Sequence, residues 1–304
     1  MIISRYIVKK GRCMENSIAY IVDTGSDIQK ETLERHQVYS VPFAINFSQG
    51  EYIEGETISR EDLIDKMKDE IPTTSATPLS RLGTIFEDIR KRQIKNVLMI
   101  CMGDKFSSYY SSSAVYAKQQ EDLNVYVFDT NAVSFVEGMY LIRALDLEKQ
   151  GYGFEEICQK LEEMKGEDTG YLRAYFGSLD NLIRGGRVKK TTGTIAKALN
   201  IHPMIGIEDG LMCVLNKIRG EKRAYKYLCE EIRSKLDPSK KYYFSLLYGG
   251  EEERDRLKEI FQEEMAQADY YQCVPLSSVV LVHSGSKVAA IAWKAFDEEK
   301  GLDL

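Results

Sequence analysis

Polar side chains stand in short loops spread along the whole 304-residue chain. Most of these loops close or follow a segment that the sequence predicts to be a strand. They carry aspartate, hydroxyl, arginine and histidine side chains and lie at residues 23–27, 72–75, 106–108, 185–187, 217–220 and 283–285. In an open α/β sheet, ligands bind outside the carboxyl ends of the strands. Hydroxyls, two arginines and one histidine at such an edge predict a pocket for a small anion, either a carboxylate or a phosphate.

Each of these motifs also has a purely structural interpretation. Asp23 and Asp27 could serve a phosphatase that uses magnesium, or simply form an Asx turn followed by a helix cap. The hydroxyls of residues 73–75 and Ser107 could hold an anion or only cap helices. Arg187 and Arg219 could bind an anion bidentately or lie in solvent. His283 could donate to an anion, act as an acid or base, or cap its element.

Composition narrows the classes of function. The formal net charge is −6 and no basic run is present, so nothing predicts a nucleic-acid partner. The six cysteines form no Cys-x-x-Cys pair and there are only three histidines, which argues against a metal site and fits the reducing cytoplasm. No dinucleotide or P-loop fingerprint predicts a cofactor.

No segment predicts stable membrane insertion. The longest clean apolar stretch, residues 97–102, is far shorter than the roughly 18 residues of a spanning helix. Residues 1–16 lack the apolar core of a signal peptide, so we expect a cytoplasmic protein whose membrane contact is at most transient. Met14 directly precedes the first predicted strand, so residues 1–13 are either an extension or part of the fold.

The order of predicted elements indicates an α/β protein of two domains. In the first part of the chain, strands alternate with helices, which predicts a mainly parallel sheet. Its predicted strands are residues 18–22, 38–47, 96–102 and 125–128, and its predicted helices are a segment capped by Ser26 or Asp27 and residues 60–70, 79–92, 108–120 and 135–150. The Ser59 side chain is predicted to cap the helix at residues 60–70, and residues 72–78 are predicted to be a loop.

The pattern changes near residue 166. An Asp209–Gly210 turn predicts a hairpin over residues 204–218, and Gly185 and Gly186 stop a short helix at residues 179–184. The remaining predicted elements are strands at 171–176, 242–247, 279–283 and 288–295 and helices at 221–236 and 251–265. We therefore expect a first domain over residues 14–166 and an α+β domain with antiparallel pairing over residues 167–304.

The loops taken together resemble the DegV family of bacterial fatty-acid-binding proteins. The similarity runs from about residue 18 to residue 296 in the family's order of blocks. Its most specific block is residues 175–187, Tyr-Phe-Gly-Ser-Leu-Asp-Asn-Leu-Ile-Arg-Gly-Gly-Arg. Further matching blocks are residues 21–27, 73–75, 106–110, 198–203, 208–210, 217–220 and 283–285.

The resemblance implies that one long-chain fatty acid, such as palmitate, is the ligand. It implies a lipid tunnel at the interface of the two domains, no cofactor and no catalytic residues. Its fatty-acid carboxylate would be bound by residues carried over by position, namely Thr74, Ser75, Ser107, Arg187, Arg219 and His283. It also implies a probable partner, a separate ATP-dependent kinase that phosphorylates the bound acid for phospholipid metabolism.

Two enzyme functions stand as alternatives to this binding protein. A lipid hydrolase or acyltransferase would use Ser107 as nucleophile and His283 as base, but the chain lacks a Gly-x-Ser-x-Gly elbow. A phosphatase would use Asp23 and Asp27. Both would show catalytic activity in the purified protein, whereas the binding protein would not.

Overall fold

The computed structural model describes residues 17–76, 78, 80–167, 170–189, 201–237 and 239–296. The segment 1–13 and residues 198–200 of the block at 198–203 lie outside the described residues. The strands are β1 (Ile18–Asp23), β2 (Tyr39–Val41), β3 (Ala44–Phe47), β4 (Gly50–Ile53), β5 (Thr73–Ser75), β6 (Asn96–Cys101), β7 (Asn124–Asp129), β8 (Tyr171–Phe176), β9 (Ile201–Glu208), β10 (Leu211–Arg219), β11 (Lys241–Tyr248), β12 (Tyr270–Pro275) and β13 (Val288–Phe296). The helices are α1 (Lys30–Arg35), α2 (Arg60–Lys66), α3 (Ser80–Lys91), α4 (Tyr109–Ala117), α5 (Phe135–Lys149), α6 (Phe154–Glu167), α7 (Asp180–Gly185), α8 (Glu221–Arg233), α9 (Glu251–Ile260), α10 (Gln262–Gln267) and α11 (Ser278–Ser284).

A four-stranded sheet in the order β2-β1-β6-β7 forms the centre of the first part of the chain. All its neighbouring strands run parallel, as predicted. β1 and β6 are apolar and buried because helices cover the sheet. Their carboxyl ends, Asp23 and Cys101, lie on the same edge of the sheet, and the loop that carries Ser107 follows β6. The sheet therefore delivers two of the polar loops to one place.

A small antiparallel sheet in the order β4-β3-β5 stands beside the parallel one. Residues 38–47, predicted as one strand, are divided into β2 and β3 around Pro42, which has no N–H for a ladder bond. Residues 72–78, predicted as a loop, contain β5, in which Thr74 pairs with Ile45. This pairing fixes the backbone that carries the predicted hydroxyls.

The second part of the chain is built on a six-stranded sheet in the order β10-β9-β8-β13-β11-β12. Its pairs are antiparallel except β11 with β12, so the predicted antiparallel pairing is confirmed. The Asp209–Gly210 turn joins β9 to β10 as expected, with both residues at positive φ. The fold class of a mixed α/β protein is thus confirmed. The predicted boundary at residues 166–167 falls at the end of α6 and stays a prediction.

Helix α5 ties the two parts of the chain together. Its residues from Phe135 to Leu147 are all buried, because the helix packs between the parallel sheet and the six-stranded sheet. The Phe135 ring stacks on Tyr270 of β12 at 5.7 Å between centroids. At the other end, the buried Asp146 carboxylate pairs with Lys241 and accepts from the Tyr243 hydroxyl at 3.0 Å. Among the described residues, no helix has the length and apolar character needed to cross a membrane.

Two predictions about local structure are wrong. Residues 279–283 were expected to form a strand but lie in helix α11. Neither Ser26 nor Asp27 caps α1, whose N-cap residue is Gln29. Asp27 adopts a left-handed conformation with a φ of 50°, and its carboxylate serves contacts with distant parts of the chain. The segment predicted as one helix at 251–265 is divided into α9 and α10, and α6, β4 and β12 were not predicted.

Candidate functional site

A mainly apolar cavity lies between the two parts of the chain. It encloses about 870 Å³ of empty space, including the part that is open to solvent. Alternate residues of β8 and β13 form its floor, where Val288 pairs with Phe176 and Ala290 with Ala174. Leu172 of β8 also belongs to the floor. The other apolar lining residues are Phe43, Ala76, Met102, Phe106, Val133, Leu182, Met212, Leu276, Val279 and Val280.

Four polar side chains of the cavity wall lie close together, and we call Thr74, Ser107, Arg187 and His283 the polar end. The sequence predicted each of them as a binding residue, although they stand far apart in the chain. Four more serines also line the cavity: Ser75, Ser108, Ser134 and Ser284. A smaller cavity, which we call the vestibule, shares Thr74, Arg187 and His283 with the main cavity.

Thr74 and His283 form a hydrogen-bonded pair across the two parts of the chain. The Thr74 Oγ1 atom lies 2.9 Å from His283 Nε2. Burial, followed by the nearby charge of Arg187, lowers the pKa of His283 to about 4. His283 is therefore neutral near pH 7 and acts there as a hydrogen-bonding imidazole instead of a cation.

Ser107 presents a free donor to the cavity. Its Oγ accepts a hydrogen bond from the Tyr109 N–H at 3.2 Å. A serine hydroxyl has one donor hydrogen as well as acceptor lone pairs, so this contact leaves the O–H group available for a ligand. The contact with Tyr109 agrees with the structural interpretation of this motif, and the binding role of Ser107 stays a prediction.

Arg187 is held against both parts of the chain. Its Nε donates to the Phe106 carbonyl at 3.1 Å and its Nη1 to the Gly185 carbonyl at 2.5 Å. The Met212 N–H donates to the Arg187 carbonyl at 3.2 Å. Gly186, at a φ of 70°, ends α7 and turns the chain toward Arg187, as the double glycine predicted. Among the described residues, Arg187 is the only arginine that lines the cavity, and these contacts fix its position.

The remaining two predicted site residues lie elsewhere. Ser75 borders the cavity, but its hydroxyl is directed to Asn46, whose Nδ2 donates to it at 3.1 Å. Arg219 is exposed at the far end of β10, whereas Met212 of the same strand lines the cavity. At about 3.3 Å per residue, these two positions are separated by about 20 Å along the strand. The structure therefore does not bring Arg219 to the polar end.

The helix that carries His283 begins against two buried carboxylates from the other part of the chain. Glu54 accepts hydrogen bonds from the Ser278 and Val279 N–H groups, the latter at 3.3 Å. The Asp27 carboxylate accepts from the Ser277 N–H at 2.7 Å and from the Ser134 hydroxyl at 2.5 Å. Burial raises the pKa of Asp27 to about 7 and that of Glu54 above its usual range, and both groups act here as hydrogen-bond acceptors for N–H groups that have no partner within the helix. The sequence analysis missed Glu54, because the N–H groups that donate to it stand more than 200 residues away in the chain.

A second pair of buried carboxyl groups lies beneath the site. Asp23 accepts from the Gly25 N–H at 2.9 Å, which is the predicted Asx turn, and from the Met102 N–H at 2.8 Å. Burial raises the pKa of Asp23 to about 7. Burial, then the charge of Asp23, raises the pKa of Glu137 far above its usual range, so the Glu137 carboxyl keeps its proton in the folded protein. No periodicity or motif pointed to Glu137.

Neither enzyme alternative gains support from this geometry. Among the described contacts, His283 pairs with Thr74 and the Ser107 Oγ with the Tyr109 N–H, so no serine–histidine pair is present. Asp23 and Asp27 are buried and saturated with hydrogen bonds from the protein itself. In the described part of the chain, no group of three or more potential metal-ligating side chains is found.

The chain is similar over most of its length to several known proteins. A DegV domain-containing protein of Caldanaerobacter subterraneus subsp. tengcongensis is 31% identical over 219 residues, 71% of this chain and 77% of that protein. Protein DegV of Bacillus subtilis is 26% identical over 283 residues, 91% of this chain and 99% of that protein.

Solved structures show the same fold. The structure of Bacillus subtilis DegV, described as a fatty acid binding protein, matches with a TM-score of 0.81 and 25% identity over 93% of this chain and 100% of that one. The structure that describes fatty acid binding by a DegV family protein of Thermus thermophilus matches with a TM-score of 0.82 and 24% identity over 92% and 99%. The family model described as "Uncharacterised protein, DegV family" matches residues 17–295. The chain therefore belongs to the DegV family.

Proposed function

We propose that this protein binds one long-chain fatty acid, with the acyl chain in the main cavity and the carboxylate at the polar end. The observation that carries the proposal is the composition of the cavity wall, in which 15 of the 23 lining residues are apolar and the one arginine and one histidine lie close together. A long hydrocarbon chain with a single anionic terminus has the same distribution of polarity. The Bacillus subtilis relative that is described as a fatty acid binding protein supports this choice of ligand.

The apolar wall would supply most of the affinity. Each buried methylene group contributes roughly 0.8 kcal/mol, so a chain of about sixteen carbons gains roughly 12 kcal/mol before the entropic costs of binding.

The polar end would hold the carboxylate without generating that affinity. The Ser107 hydroxyl has a free hydrogen, and the Thr74 hydroxyl has one when His283 Nε2 is its donor. The Arg187 guanidinium supplies positive charge nearby and keeps the acid ionised. In this arrangement Ser75 contributes its backbone to the wall, and Arg219 does not touch the ligand.

Extraction of the purified protein tests the proposal. We expect organic solvent to release a saturated or monounsaturated long-chain acid at close to one molecule per chain, identified by mass spectrometry. Protein from which the lipid has been removed should take up palmitate again. An extract without fatty acid, from a folded protein that also fails to bind added palmitate, would contradict the proposal.

We further propose that the bound acid is presented in the cytoplasm to a separate ATP-dependent kinase, which phosphorylates the carboxylate to an acyl phosphate. The vestibule joins the polar end to the exposed Thr73 and Arg184 side chains, which offers a route for a phosphoryl donor. Arginine stabilises transferring phosphoryl groups well. Arg219, which is exposed and distant, suits contact with a partner instead of the ligand.

Two variants separate binding from transfer. We expect His283→Ala to lower ATP turnover by the host's kinase more than it weakens fatty-acid binding. Arg219→Ala should leave the dissociation constant for palmitate unchanged and lower turnover. Equal losses of affinity and turnover would mean that these residues serve only to hold the lipid. No turnover with any host kinase would contradict the kinase proposal and leave fatty-acid binding intact.

A further inference from the structure

We propose that Gly185 is the positioning residue of the polar end, because its missing side chain makes the space in which the His283 imidazole reaches Thr74. The inference rests on the fatty-acid site proposed above. It concerns how the site is assembled, and it can be measured in the protein without ligand.

The contact between Gly185 and His283 is too close for any side chain. A Cβ atom placed on Gly185 would lie 2.2 Å from His283 Nδ1 and 3.0 Å from Cε1. Ordinary contact begins at 3.4 Å, so the ring would have to retreat by about 1 Å. The opposite ring nitrogen, Nε2, is the atom that lies 2.9 Å from Thr74 Oγ1. One edge of the imidazole therefore rests on Gly185 while the other forms the polar end.

Gly185 also orients the second charged group of the site. Its carbonyl accepts the hydrogen bond from Arg187 Nη1 at 2.5 Å. A single residue thus touches both His283 and Arg187. Helices α7 and α11 are joined at a second point, where Asn181 Nδ2 donates to the Val282 carbonyl at 3.2 Å, so α11 has little freedom to retreat from α7.

Backbone geometry does not explain why glycine occupies this position. Gly185 is the last residue of α7 and, unlike Gly186, it does not adopt a positive φ. Alanine is a much better helix former than glycine. A substitution to alanine should therefore favour α7 itself, and its only steric obstacle among the described residues is the His283 ring.

The experiment is a double-mutant cycle of Gly185→Ala and His283→Ala. We expect Gly185→Ala to raise the dissociation constant for palmitate at least about 10-fold. Without His283 as its partner, the Thr74 hydroxyl is no longer oriented, and its hydrogen bond to the carboxylate is lost. In the His283→Ala background the same substitution should change it less than about 2-fold, because the ring that the new methyl group meets is gone. Gly83→Ala is the matched control, since Gly83 is also helical and its added Cβ meets only the Tyr116 hydroxyl, at 3.6 Å; it should bind as the wild type does.

A second measurement does not need the ligand. The chain has three histidines, so the imidazole nitrogen resonances of His283 can be assigned by comparison with His283→Ala. In Gly185→Ala these resonances should shift, and the pKa of His283 should rise from about 4 toward its usual 6.5 as the ring leaves its buried position. If the wild type does not bind palmitate, the proposed function is contradicted, but the comparison of the His283 resonances remains valid.

Several results would overturn the inference. Unchanged resonances and unchanged affinity in Gly185→Ala would show that the ring does not depend on Gly185. An equal loss of affinity with and without His283 would show that Gly185 acts by another route. If Gly185→Ala fails to fold, recovery of folding in the double variant supports the inference, and failure of both variants refutes it.

Discussion

Replacing Ser107 by alanine removes one donor from the polar end with little change in the rest of the site. The Ser107 Oγ accepts only the Tyr109 N–H at 3.2 Å among the described contacts, and Tyr109 is the first residue of α4. Its hydroxyl hydrogen is the group available to a carboxylate. The perturbation is therefore local, and any effect on α4 can be measured separately by urea unfolding.

The expected magnitude follows from the charge of the acceptor. A hydrogen bond to an ionised group contributes about 1.5–3 kcal/mol, which is roughly 10- to 150-fold in the dissociation constant. Ser107 is partly exposed, so water can replace part of the lost contact and the lower end of this range is expected. Thr74→Ala should cost a similar amount, because it removes a hydroxyl and leaves His283 Nε2 without its partner.

The assay is calorimetric titration of delipidated protein with palmitate. Ser75→Ala is the matched control, because adjacent residues of a strand point to opposite faces and the Ser75 side chain is therefore directed away from that of Thr74. It should leave the dissociation constant within about 2-fold of the wild type. If Ser107→Ala and Thr74→Ala fold normally and both bind palmitate as tightly as the wild type, the carboxylate does not lie at the polar end. A loss in Ser75→Ala equal to that in Ser107→Ala would also refute the reasoning.

Three further predictions concern the wall and the buried charges. Ala174→Phe places a ring on the cavity floor, and we expect it to abolish palmitate binding in the same titration while circular dichroism shows a folded protein. Burial raises the pKa of Glu137 above its usual 4.5, so the folded protein keeps a proton that the unfolded chain releases, and the free energy of unfolding should fall by about 1.4 kcal/mol per pH unit from about pH 4.5 up to the native pKa. Glu137→Gln needs no proton and should make the slope shallower by about 1.4 kcal/mol per pH unit in urea titrations from pH 5 to pH 8, while the slope due to Asp23 remains; an unchanged slope would assign the proton elsewhere. Lys241→Met leaves the buried Asp146 with Arg143 as its nearest cation and should lower the free energy of unfolding by about 3 kcal/mol, whereas a loss below about 0.5 kcal/mol would contradict a buried ion pair.

The elements that the sequence predicted correctly are those whose conformation is determined by residues close together in the chain. β1, β6 and β8 are mainly apolar runs, and each appears close to its expected limits. The hairpin of β9 and β10 follows from the Asp209–Gly210 turn, which only a few residue types can adopt. In these cases the pattern and the tertiary structure demand the same conformation.

Helix α11 shows why other elements were not predicted from the sequence. Residues 279–282 are Val-Val-Leu-Val, a composition that favours a strand. They are helical because Glu54 and Asp27 accept the first N–H groups of the helix, a contact that no local pattern contains. β12 was missed for a related reason: Gln272 interrupts its apolar run but is buried, with its amide bonded to the Asp27 carbonyl and the Ser245 hydroxyl.

The candidate site residues could be predicted only because the sequence resembles the DegV family. Thr74, Ser107, Arg187 and His283 converge, which residue types and spacing alone only suggested. Arg219 shares a chemical type with Arg187, but the register of β10, where it pairs with Ile201, carries it away from the cavity. Strand register depends on the whole sheet, so a loop motif read in isolation cannot fix it.

The cavity wall is assembled from both parts of the chain, and this has a consequence for the lifetime of the protein. A ligand enclosed there binds only when the two parts are packed together, so it acts as a removable cross-link between them. Ligand at about 1,000 times its dissociation constant adds about 4 kcal/mol to the free energy of unfolding, a large share of the 5–15 kcal/mol typical of folded proteins. Proteolysis in cells draws on the unfolded population. With the proposed ligand, a shortage of fatty acid would shorten the survival of the carrier, and its abundance would follow the supply of its cargo.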